Sequence, residues 1–166
     1  MERLTYYIQN NEKLPTKACI INLDDGEASQ YDKAFCVMNE VNAPATYYIA
    51  PSRLGTSNGY YMTEEQVARV HRYGHDIGAH TRTHARLSTL SYQEQYDEMV
   101  GSKTDLEDMG YIIKTLAYPY GAYNDDTIEI TKNNFVLGRD TSQDRIWKDI
   151  RTPVISFNED YLQHFF

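Results

Sequence analysis

Two hydrophobic periods alternate along this chain, and that alternation most constrains its fold. Short runs of strand character lie at Lys17 to Leu23 (KACIINL), Ala45 to Ala50 (ATYYIA), His75 to His80 (HDIGAH), Ile112 to Tyr118 (IIKTLAY), Phe135 to Arg139 and Pro153 to Phe157 (PVISF). Between them the spacing turns helical. Tyr31, Ala34, Phe35, Met38 and Val41 recur every third or fourth residue across Ala28 to Asn42, and Pro44 stops the pattern. Thr63 with Gln66, and Ser91 with Glu94, have the capping-box spacing that opens helices running to Tyr73-Gly74 and Met109-Gly110. Asn124 to Asn133 predicts a further helix, and Asn158 caps a short closing one. A β-α-β-α order implies parallel strands with the helices outside, and reactive residues in such folds collect where strands end.

Three clusters obey that rule. Asp24-Asp25 follow the first strand in INLDDGE, His80 ends the third and is followed by His84 in AHTRTH, and Pro119-Tyr120 follow the fourth. Two imidazoles four residues apart can meet one ion if their segment is helical or coiled. A carboxylate from a distant strand end would complete three protein ligands and leave positions open for water and substrate. Taken singly, each cluster has a structural reading: paired aspartates as a solvated turn or cap, histidines as surface residues, Tyr-Pro-Tyr-Gly as a packed loop. Taken together and in order, they point to a metal. His71 and His75, at a helix end and a strand start, are expected to be structural.

Composition narrows the partners. With 166 residues and a net charge of -8, the chain fits one domain with a core of its own and offers no basic run for a nucleic-acid backbone. A neutral or cationic substrate is expected. No stretch approaches the roughly 18 apolar residues of a membrane span, and the first twenty residues lack a signal-peptide layout. Cys19 and Cys36 both fall in apolar or amphipathic stretches and are expected to be buried free thiols. The 15 tyrosines suit half-buried packing first and a sugar-stacking surface second.

The motifs LDDG at 23–26, HTRTH at 80–84 and AYPYG at 117–121 resemble, in that order, the first three motifs of the polysaccharide deacetylase family. This is the NodB-homology or carbohydrate esterase family 4 domain, and the likeness spans about residues 17–157. It implies a distorted (β/α) barrel of the NodB type over 17–166, after an N-terminal extension at 1–16. It also implies a divalent metal, usually Zn2+, held by Asp25, His80 and His84, with Asp24 as general base. The backbone N–H of Tyr120 would stabilise the oxyanion, on a turn fixed by Pro119. The chemistry is coherent: of two adjacent carboxylates facing different ways, one can bind the metal while the other takes a proton from the water it activates. The activity implied is removal of N-acetyl groups from an acetylated glycan. Alternatives are an amidohydrolase of small N-acyl or cyclic amides, and a glycan-binding module that has lost turnover.

The chain departs from that family at four places. Asn22-Leu23 stand where Thr-Phe is usual, a tolerable change within a strand. Ala117 stands where an arginine two residues before the proline normally helps hold the base, so Asp24 needs another support. Asp144 and Trp147 are only loose counterparts of the fourth motif. Leu162-Gln163-His164 matches the letters of the segment that supplies a general acid, but in a closing helix rather than on a final strand. His164 is therefore not expected to be the acid, and the barrel is expected to be incomplete at its C-terminal strand. An open barrel exposes a strand edge and favours a homo-oligomer or a larger assembly.

Overall fold

The computed structural model describes residues 2–10, 12 and 20–141. Among these, five strands form one parallel sheet in chain order: β1 (Ile21–Leu23), β2 (Ala45–Ile49), β3 (Asp76–Ala79), β4 (Thr115–Ala117) and β5 (Leu137–Arg139). Helices α2 (Cys36–Glu40), α3 (Glu64–Arg72), α4 (Tyr92–Asp108) and α5 (Asp125–Asn134) fill the crossovers, and α1 (Glu2–Gln9) precedes the sheet. The described strands curl into a half-barrel, in keeping with the α/β class and distorted (β/α) barrel expected. Register runs Leu23↔Tyr47, Ile49↔Ala79, Ala79↔Leu116 and Ala117↔Arg139, so every strand ends at the same rim.

The sequence explains most of these elements directly. All five residues of β2 are buried, which suits a parallel strand covered on both faces and built from Thr, Tyr and Ile. Both anticipated capping boxes are present, Thr63 with Gln66 on α3 and Ser91 with Glu94 on α4, and Asn124 with Thr127 makes a third on α5. The helices bury Val67, Val70, Met99, Leu106 and Ile130 against the sheet. Full burial of each such side chain contributes about 1.5–3 kcal/mol. No described helix is long and apolar enough to cross a membrane.

Several expectations need correction. The helix expected over 28–42 begins as a π-helical turn, Gln30–Phe35, and is α-helical only over Cys36–Glu40. Phe35 faces the core, so Cys36, about 100° further round the axis, is exposed rather than buried. Val41 lies beyond the helix and is 65 % exposed. β4 starts at Thr115, three residues later than its apolar run, because Ile112 turns to solvent. The N-terminal stretch contains α1, where Leu4 and Thr5 are buried. Cys19, the strand at Pro153 to Phe157, the closing helix, Asp144, Trp147 and His164 lie outside the described residues.

Two positions show how the sheet is tuned. Gly78 is the register partner of Tyr48, and a Cβ there would stand 2.5 Å from the Tyr48 ring and 3.0 Å from Thr115 Oγ1. Glycine is thus what lets that tyrosine lie across the sheet. His75, 3 % exposed, accepts the Ala45 backbone N–H at Nδ1 over 3.1 Å, which fixes the first residue of β2. Its ring meets Phe35 and Tyr47 edge-on. An acceptor nitrogen cannot carry a proton, and burial pushes the His75 pKa below its usual value.

Gly78→Ala is expected to destabilise the chain by about 1–3 kcal/mol through overpacking. An unchanged urea midpoint would mean that Tyr48 has room to move. For His75, the unfolded chain takes up the proton first as pH falls through histidine's ordinary value of 6.5. Its contribution to stability is therefore complete above that pH and lost below it. His75→Asn keeps an acceptor and removes the titration, so its melting temperature should fall less than wild type's between pH 7 and pH 5. Equal slopes would exclude His75 as the source.

Candidate active site

The rim gathers the three sequence clusters. Asp24 and Asp25 follow β1 directly, and Asp25 adopts a left-handed backbone, φ 73°, ahead of Gly26 at φ 69°. A Cβ on Gly26 would sit 3.1 Å from Ile49 Cδ1, so glycine allows the turn to press on β2. The Gly26 carbonyl accepts the Met62 N–H at 2.8 Å, and Glu27 bridges to Tyr61, which pins the loop from outside. His80 continues β3 by donating its backbone N–H to the Ile49 carbonyl at 3.0 Å. His84 reaches the same point through a loop rather than a helix, with Thr81 at φ 59° and His84 at φ 65°.

The three side chains converge on Asp25 Oδ1. His84 Nε2 lies 2.7 Å from it and His80 Nε2 3.7 Å. One ligand atom from each residue lies within 4.8 Å of the other two. Two ligands each about 2.0–2.1 Å from a tetrahedral ion stand about 3.3 Å apart, so the observed pair of distances brackets what an ion requires. The remaining ring nitrogens are engaged. His80 Nδ1 donates to the Ala117 carbonyl at 2.8 Å, and His84 Nδ1 lies 3.2 Å from the Tyr120 hydroxyl. The carbonyl contact fixes the His80 tautomer and leaves its Nε2 lone pair facing inward, while the Tyr120 contact orients the His84 ring.

Protonation states agree with that use. The hydrogen bond from His84, aided by His80 and Arg53, holds the Asp25 carboxyl below its usual range against the opposing effect of burial. Burial, at 3 % exposure, pushes His80 below a histidine's ordinary value and keeps it neutral. An ionised carboxylate beside a neutral imidazole is the form that binds a metal.

The histidine loop is held by α4. Arg82 makes a fork to Asp105, Nε to Oδ2 at 2.7 Å and Nη2 to Oδ1 at 2.8 Å. Gly101 makes room for it, since a Cβ there would stand 2.6 Å from the guanidinium carbon. Thr83 gives both its N–H and its hydroxyl to Glu98, at 2.8 and 2.7 Å, and Thr81 Oγ1 accepts the Ala85 N–H. On the next rim segment, Pro119 is buried and Tyr120 sits at φ 60° in a 3-10 turn. The Tyr120 ring stacks edge-on to His84 at 4.7 Å, with Arg86 above it at 4.7 Å.

Two arginines at this rim escaped the sequence reading. Arg53, after β2, contacts Asp25 Oδ1 at 3.2 Å and lies over the Tyr61 ring. Arg139, the last residue of β5, pairs its Nη2 with Asp24 Oδ1 and is 4 % exposed. Arg139 stands at a strand end, the position that could have found it, whereas Arg53 closes the 3-10 turn Pro51–Arg53 beyond β2.

The chain belongs to the polysaccharide deacetylase family, whose profile matches residues 11–136. It is 31% identical to the Bacillus subtilis protein YxkH over 130 residues, covering 76% of this chain and 46% of that one. It is 29% identical over 146 residues to the poly-beta-1,6-N-acetyl-D-glucosamine N-deacetylase of Staphylococcus epidermidis, covering 80% and 50%. The chain thus spans about half the length of these curated relatives. Among solved structures it is similar to the Streptococcus pyogenes deacetylase PplD in complex with acetate, with TM-score 0.80, 27% identity, and coverage of 85% of this chain and 63% of that one. The structure of IcaB from Ammonifex degensii shares the fold at TM-score 0.81 and 22% identity, covering 98% and 77%.

One equivalent of a divalent ion is expected to bind the chain. His80→Ala or His84→Ala should weaken binding by more than the roughly 10–100-fold typical of outer contacts, and Tyr120→Phe by no more than that range. Competition against a chromophoric chelator measures this. Wild-type affinity in both histidine variants would exclude the triad as the site.

Proposed function

We propose that this chain is a metal-dependent hydrolase that removes N-acetyl groups from N-acetylated glycans containing N-acetylglucosamine. The observation that carries this reading is the convergence of Asp25, His80 and His84 with a second carboxylate, Asp24, immediately beside them. Family membership supports it, as do relatives named as deacetylases of N-acetylglucosamine polymers and a structural neighbour holding acetate.

Asp25, His80 and His84 would hold the ion, and two imidazoles with one carboxylate suit Zn2+ best. A Zn2+ ion there would polarise the amide carbonyl and lower the pKa of a water molecule. The chain's own residues supply the rest. Asp24 has Oδ1 engaged by Arg139, which leaves Oδ2 to take a proton from the attacking water. The backbone N–H of Tyr120, on the turn that begins with Pro119, donates to the carbonyl oxygen as negative charge develops there. Exposed Tyr120 and Tyr123, 56 % and 44 % accessible, offer flat faces to a sugar beside the reacting amide.

Acetate release from acetylated chito-oligomers by the Zn2+-loaded chain tests this reading. Asp24→Asn should lower kcat by roughly a hundredfold or more, the usual worth of a positioned base, with metal content unchanged. Glycan binding without acetate release, in wild type as in the variant, would favour the binding-module alternative.

A further inference from the structure

Asp24 follows β1, yet the group that steadies it comes from the opposite edge of the described sheet. Arg139 ends β5 at 4 % exposure, and its guanidinium lies 5.0 Å from the centre of the Tyr48 ring while Nη2 engages Asp24 Oδ1. Its Nη1 donates to the Asp140 carbonyl at 3.3 Å. A buried guanidinium needs a counter-charge, and Asp24 supplies it. The Asp24 main chain is held as well, since its carbonyl accepts from the Gln30 side-chain amide.

The register tells where this arginine stands relative to the third motif. Ala117, two residues before Pro119, is the Cα partner of Arg139 across the β4–β5 ladder, and it is 1 % exposed. Paired residues on neighbouring strands stand about 4.8 Å apart and project to the same face. A guanidinium carried at 117 and one carried at 139 therefore reach one point from adjacent strands. The small side chain at 117 leaves that space to Arg139, and Gly78 under Tyr48 sets the ring on which the guanidinium rests.

We propose that Arg139 is the positioning residue for Asp24, doing from β5 what an arginine at position 117 would do from β4. It acts by fixing the orientation of one carboxylate and does not touch substrate. This rests on Asp24 serving as the base.

Acetate release by the Zn2+-loaded chain provides the first test. Arg139→Met should lower kcat about tenfold or more while KM and Zn2+ stoichiometry hold, the pattern of a group that matters only in the reacting state. Combining Ala117→Arg with Arg139→Met should restore most of that loss, because the charge returns to the same point from the next strand. Wild-type kcat in Arg139→Met, or a folded double variant no faster than the single one, would overturn the proposal. If Arg139→Met does not fold, the double variant decides alone: turnover supports the proposal and folded inactivity overturns it. Urea denaturation of the metal-free chain reads the contact without turnover, and so still decides if no acetate is released. Arg139→Met should destabilise the wild-type background and not an Asp24→Asn background, whereas equal losses in both would overturn the contact. Asp24→Asn that still releases acetate would instead refute the base assignment and leave the measured contact standing.

Discussion

The Asp25 carboxylate is the contact on which the rim of this half-barrel depends. One oxygen receives His84 from the loop after β3, approaches His80 at the end of that strand, and meets Arg53 from the loop after β2. Segments from two other strand ends thus close on one negative charge. Remove it and two imidazoles and a guanidinium would face one another with nothing between them. The same charge makes the triad receptive to a cation, and Arg53 compensates it when no cation is there.

Holding that geometry requires unfavourable backbone. Asp25, Thr81, His84 and Tyr120 all occupy the left-handed region, four of the seven described non-glycine residues that do so. Each costs about 1 kcal/mol or more and persists only where its surroundings dictate it. Helix α4 provides those surroundings for the histidine loop, through the Arg82–Asp105 fork and the two bonds from Thr83 to Glu98. The fork is partly solvated, so its charge contributes modestly, at most about 1 kcal/mol. Its geometry matters more, because it fixes the residues between His80 and His84. Gly101, unhelpful to a helix by propensity, is explained by the guanidinium that crosses it.

Much of this was legible beforehand, and the reasons are physical. Strands and helices announced themselves through period and caps, as at Thr63 and Ser91, because those signals depend on near neighbours. The rule that reactive groups sit at strand ends located Asp24, Asp25, His80 and Tyr120. It applied equally to Arg139, and less directly to Arg53 in the turn after β2, but an arginine alone carries no motif. What pairs with Arg139 is 115 residues away, and only the parallel register brings them together. The burial of Cys36 was misjudged for the opposite reason. Its neighbour Phe35 takes the core-facing position, and one step round a helix turns a residue to solvent.

The two carboxylates answer to separate supports, and this bears on how the chain can diverge. Asp25 is fixed from the β2 and β3 side, by Arg53 and the histidines, whereas Asp24 is fixed from β5, by Arg139. Changes on β5 can therefore disturb Asp24 while leaving Asp25 and the two histidines in place, and changes in the α4 clamp act the other way. Ala117 sits where the two systems meet, its carbonyl holding His80 Nδ1 and its Cα paired in register with Arg139. A larger side chain there leaves the carbonyl contact to His80 available but competes with Arg139 for the space beside Asp24. The small residue at 117 and the arginine at 139 thus fit together across one register pair.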